Sequence, residues 1–199
     1  IFAPYFVAGA IFSGVALVIN LLIVIRKAFR LEHIVTTDHI EKLSKLVLLT
    51  STIVGYSYLT EFFMAWYGPS NAERDIFLFR YFGHFWWAAW IMFSCNVILP
   101  LLLWFKGVRR NLPVLFVLML FVNVGMWFER FVIIITSLAR PFEPYAWDVN
   151  YKMSWTEAGI TAGAFAWFFM FFLVFVKVLP AFSITEIKET LPVPLRRKK

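Results

Sequence analysis

Charged side chains are scarce in this sequence and cysteine is nearly absent, and together these shortages remove most soluble architectures. Only 16% of the 199 residues are charged, against 61% hydrophobic and 20% aromatic, whereas soluble domains carry about 25% charge. Such a chain can neither cover a water-exposed globule with polar groups nor remain disordered, which requires low hydrophobicity. A lone cysteine, Cys95, excludes a disulfide framework, a zinc knuckle and a cysteine-ligated iron–sulfur cluster built from this chain alone. Histidine is almost as rare. None of His33, His39 and His84 falls in the middle of an apolar run, so haem held between histidines of facing helices is not expected. A Gly-rich phosphate loop, HExxH and a Ser/His/Asp set are also missing. Acidic residues number 12 against 19 Lys+Arg, for a net charge of +7. The basic residues form short clusters between apolar runs rather than a stripe on one face, so they read as membrane topology and not as nucleic-acid binding.

What the sequence has in quantity is apolar runs of about 20 residues, the length a hydrocarbon core of about 30 Å demands of a helix. Five occur, at 3–26, 44–67, 84–105, 113–138 and 157–179. Open sheet edges cannot be satisfied in lipid and no run alternates in polarity, so each is expected to be helical. The fold class is therefore all-α: a polytopic membrane protein of five transmembrane helices, a four-helix bundle plus one peripheral helix, over 1–182, with a basic tail over 183–199. Ile1 enters an apolar run at once, without a basic leader or cleavage site, so the chain reads as the C-terminal half of a longer polypeptide. The stretch Leu191-Pro-Val-Pro-Leu-Arg-Arg-Lys-Lys199 reads as its natural end.

Basic-rich and basic-poor connections alternate. Arg26, Lys27, Arg30, Lys42 and Lys45, then Lys106, Arg109 and Arg110, and finally the tail mark one side; Arg74, Arg80, Arg140 and Lys152 mark the other. The positive-inside rule puts the first group and the C-terminus in the cytoplasm and Ile1 outside. The outer connections, 68–83 and 139–156, are long and aromatic, with Trp66, Tyr67, Tyr81, Trp86, Trp87, Tyr145, Trp147, Tyr151 and Trp155 at or near the interface. They suit an aromatic belt or a docking surface for an extracytoplasmic subunit. Small residues four apart, Gly9/Ser13, Ala10/Gly14 and Gly159/Gly163, suit close helix packing.

A charge in hydrocarbon needs a partner or a purpose. Glu61 lies roughly 10 Å below the outer end of the second run, and Glu129 and Arg130 lie only about 5 Å to the outer side of the fourth run's midpoint. Adjacent helical residues point about 100° apart, so Glu129 and Arg130 each need a partner elsewhere; Arg130 with Glu61 is the economical pairing. Asn123, seven residues before Arg130, shares its face. Pro100 deprives the carbonyl of Asn96 of its intrahelical donor. These groups form either an interhelical clamp or a proton path, since a carboxyl group taken out of water binds a proton more readily. His84, at the outer interface, suits a contact there.

The segments Phe2-Ala-Pro-Tyr-Phe-Val-Ala-Gly-Ala-Ile-Phe-Ser-Gly14, Cys95-Asn-Val-Ile-Leu-Pro-Leu-Leu-Leu-Trp104 and 121–138 resemble the NrfD/PsrC-like family of polysulfide-reductase membrane subunits. The closest likeness is to the C-terminal half of ActC of bacterial alternative complex III. It runs from Ile1 to about Pro192, and Asn123-Val-Gly-Met-Trp-Phe-Glu-Arg-Phe-Val132 is its most specific stretch. The resemblance implies a haem-free subunit of the bacterial inner membrane that oxidises menaquinol or ubiquinol. Electrons pass to iron–sulfur clusters and haem c on partners: an extracytoplasmic iron–sulfur subunit, cytochrome c subunits, a homologous membrane subunit and a terminal oxidase. In that family the quinol ligands lie mainly in the first bundle, which this sequence does not include. The transferable positions are Glu61, Asn96, Glu129 and Arg130, as a proton path or its skeleton. A secondary transporter or proton channel fragment and a purely structural anchor are the competing readings.

Overall fold

The computed structural model describes residues 2–139 and 153–179; Arg140, Tyr145, Trp147, Tyr151, Lys152 and the tail from 183 lie outside the described residues. Every regular element among the described residues is helical: α1 (Phe2–Ala28), α2 (Thr37–Tyr67), α3 (Asn71–Phe82), α4 (Trp86–Phe93), α5 (Leu99–Leu101), α6 (Lys106–Arg110), α7 (Leu112–Ala139) and α8 (Trp155–Val178). Five stretches are long and apolar enough to span a bilayer: Ala3–Ala28, Thr37–Tyr67, Trp86–Trp104, Leu112–Thr136 and Trp155–Val178. They coincide with the five apolar runs, and the chain is a multi-pass membrane protein. It divides into two compact units, Ile1–Asn150 and Tyr151–Lys199. In the second, Ser154 and Glu157 form a capping box that opens α8: Glu157 N–H donates to Ser154 Oγ and Ser154 N–H to the Glu157 carboxylate.

In the first unit, α1 packs on α2 and α7, α4 packs on α7, and the chain just after α4 packs on α2 and α7. Buried residues at three- and four-residue spacing make the seams. On α1 they are Tyr5, Ala8, Phe12, Ala16 and Ile19; on α7 they are Leu115, Met119, Val122, Met126, Glu129 and Val132. Of the two glycines in the small pairs on α1, Gly9 faces Met126 and Gly14 looks into open space. Gly9, Ala8 and Ala16, all buried, allow α1 its close approach.

The third span is not a uniform helix. α4 passes into one π-helical turn, Ser94–Ile98, then α5, then a 3-10 turn, Leu102–Trp104. Pro100 lacks an amide hydrogen, so the carbonyl of Asn96 loses its usual donor four residues on. Ser51 Oγ of α2 supplies one at 2.9 Å, and Asn96 is fully buried.

α2 starts at Thr37, seven residues before the apolar run, because His39 caps it: Thr36 N–H donates to His39 Nδ1 at 3.3 Å. The early turn carries Glu41, which is buried although charged. Arg110 Nε donates to it at 2.8 Å, with Arg109 at 3.5 Å and Lys45 at 3.6 Å, and Arg110 also pairs with Asp38 at 2.9 Å. The bond that Arg110 donates to Glu41 raises the pKa of Arg110 above its usual value. Arg109 Nη1 additionally donates to the carbonyls of Leu103 and Trp104 at 2.7 and 3.0 Å, satisfying the open end of the third span. The connection 68–83, expected to be an aromatic loop, instead contains the 12-residue amphipathic helix α3. It is too short and too polar to register as a span, yet it buries Arg80.

Candidate functional site

Glu129 occupies a seam position of α7 and is 1% exposed, about 15 Å from the helix end at Ala139 on the helical rise. Tyr58 of α2 donates its hydroxyl to Glu129 Oε2 at 2.5 Å. Asn96, from the π turn, donates Nδ2 to the same oxygen at 3.1 Å and to Tyr58 Oη at 3.0 Å. Tyr5 of α1 borders the pair, its ring 5.9 Å from that of Tyr58. All four spans of the first unit thus meet at one carboxyl group. Asp38, Glu41 and Glu61 form ion pairs, whereas Glu129 forms none among the described residues. Asn96 Oδ1 is buried with no hydrogen-bond partner.

The expected pairing of Arg130 with Glu61 does not form. Glu61 Oε1 pairs with Arg80 Nη1 at 3.2 Å, from α3. Arg130 lies over the ring of Phe6, 4.7 Å from its centroid. Geometry accounts for both: Glu129 takes the inward seam, the next residue turns about 100° toward α1, and α3 brings a second cation beside Glu61. Asn123 also leaves the cluster, because its Nδ2 donates to the carbonyl of Met119 in its own helix at 2.9 Å. His84 is exposed and meets Phe85 edge-on at 5.0 Å. Tyr5 and Tyr58, which complete the site, resemble interface aromatics in sequence. A signal existed in the stripe Ser44, Ser51, Gly55 and Tyr58 of α2, three, four or seven residues apart and all buried.

Between the cluster and the α3 end lies a cavity of about 330 Å³, bordered by Tyr5, Ser57, Glu61 and Glu73. The polysulphide reductase NrfD family model matches residues 1–141, a range that takes in every residue of the cluster. The chain belongs to the NrfD family. No curated protein matches it. NrfD proteins are membrane subunits of quinone-linked redox complexes and partner with iron–sulfur subunits. In this NrfD chain the chemistry available to the site is acid–base. The carboxyl group can bind or release a proton, and the Tyr5 and Tyr58 hydroxyls can both donate and accept. The Asn96 amide donates and so orients the other two.

The observed pairing sets an expectation about mutants. Arg80→Leu in this NrfD chain should leave Glu61 without its cation, whereas Arg130→Leu removes a contact with an aromatic ring. Glu61 is partly exposed, so the cost should be modest, about 1 kcal/mol. Thermal unfolding in detergent should show the larger decrease for Arg80→Leu; a larger decrease for Arg130→Leu would contradict the assignment.

Proposed function

We propose that this chain is the C-terminal half of an ActC-like subunit in a quinol-oxidising complex of the alternative complex III type, and that the Glu129 cluster carries protons in it. Quinol oxidation yields quinone, two electrons and two protons. The electrons pass to iron–sulfur clusters and haem c on partner subunits, with menaquinol or ubiquinol as substrate, and the protons need a polar exit through an apolar protein. The observation that carries the reading is a carboxyl group 1% exposed that has hydroxyl and amide partners and, among the described residues, no cation, next to a cavity bordered by two further carboxylates. An acid kept only for structure would pair with an arginine, as Glu41 does.

In this reading the route runs from Glu129 through Tyr5 to the cavity at Glu61 and Glu73. The α3 end is the extracytoplasmic one, because the opposite end carries Arg26, Lys27, Arg30, Lys42, Lys45, Lys106, Arg109 and Arg110. The iron–sulfur partner docks on the α3 side. Purification of the intact complex under mild detergent tests this: bound quinone should copurify with an iron–sulfur subunit and c-type haem. Recovery as a lone polytopic protein, active in ion exchange without redox partners, would overturn it in favour of a transporter.

A further inference from the structure

A second cavity, of about 260 Å³, runs between α2, α3 and α4, from Tyr58 at its deep end to Trp66 and Arg74. Its walls are apolar, with Phe62, Leu78, Trp90 and Phe93 among them. Phe62, Leu78 and Trp90 are also about half exposed, so the slot opens sideways to the bilayer. Its two ends differ chemically. At the deep end the Tyr58 hydroxyl already donates to Glu129 and accepts from Asn96. A head group with several oxygens would find too few partners there, and burying unpaired polar atoms is costly. At the other end stands a cation. Arg74 Nη2 donates to the carbonyls of Trp66 and Gly68 at 2.8 and 3.2 Å, and its guanidinium lies 5.7 Å from the Trp66 ring centre. Arg74 forms no ion pair among the described residues, although Glu73 and Asp75 adjoin it in sequence.

We infer that the slot holds one acyl chain of a phospholipid whose phosphate pairs with Arg74. The apolar walls take the chain, and the guanidinium, already fixed through Nη2 with Nε buried, keeps Nη1 for an anion, a charge-assisted bond that suits phosphate. The bound lipid would fasten α3 against α2 and α4, over the cavity that leads to Tyr5 and Glu129.

Native mass spectrometry of the purified, delipidated complex titrated with phosphatidylglycerol tests the assignment, alongside Arg74→Gln and Leu78→Trp variants. The tryptophan is meant to fill the slot from a half-exposed position, where it should not disturb folding. The wild type should retain one more phosphatidylglycerol than either variant, and Arg74→Gln should bind it roughly tenfold more weakly, as expected for loss of a charge-assisted bond. Equal retention by all three proteins would overturn the proposal. So would a quinone that occupies the slot instead, lost in Leu78→Trp but kept in Arg74→Gln. Both outcomes leave the proton route untouched, because neither substitution alters a member of the Glu129 cluster.

Discussion

Glu129→Gln is expected to lower quinol-driven proton release by at least tenfold while the complex assembles in wild-type amounts. The amide is nearly the same size and shape as the acid. Its oxygen can accept from Tyr58 and from Asn96, whose bonds to Glu129 are 2.5 and 3.1 Å long, so the buried donors stay paired and the seam stays filled. What the amide cannot do is bind and release a proton. Loss of a positioned acid–base group costs 10²–10⁴-fold where proton transfer limits the rate, and about tenfold is the lower bound if other steps share control. Tyr58→Phe should produce a smaller loss, because Asn96 still reaches the carboxylate. Proteoliposomes carrying a trapped pH dye and supplied with a short-chain quinol give the measurement. Wild-type proton release and turnover in Glu129→Gln would reduce the carboxyl group to a packing element and remove the relay.

The spans were legible because the bilayer imposes a length and a polarity that local composition must meet, and Glu129 was legible as a deep charge for the same reason. Partnerships were not. Arg80 lies in a 12-residue stretch with four charges, and hydropathy gives such a segment no depth; only folding α3 back onto α2 brings it beside Glu61. Tyr58 shows the other limit. A tyrosine near the end of a transmembrane run usually belongs to the interface, and its true place followed from the small and polar stripe along α2 that turns it inward. The carbonyl freed by Pro100 was predictable, but which hydroxyl would reach it depended on the register of α2 against the third span, which fixed Ser51.

Gly125→Ala is expected to damage fold and function together. Gly125 is buried in α7, where a Cβ would overlap Asn96 Oδ1 and Cys95 Cβ in the π turn. Alanine raises intrinsic helix stability by about 1 kcal/mol, and overpacking costs about 1–3 kcal/mol, so the steric cost should exceed the gain. A methyl group against Cβ has no flexible side-chain end to yield. Relief must come from moving the third span away from α7, and that shift carries Asn96 off Glu129 and its carbonyl off Ser51. The melting temperature should fall by roughly 5 °C, and proton-coupled turnover should fall with it. Cys95 is the chain's single cysteine and is buried at this contact, so in the isolated chain a thiol-reactive dye reports on the interface itself and should label the variant at a lower temperature. If labelling temperature dropped while turnover held, Asn96 would not be needed to orient the carboxyl group. Unchanged values for both would show that α7 and the π turn can separate without cost to the site.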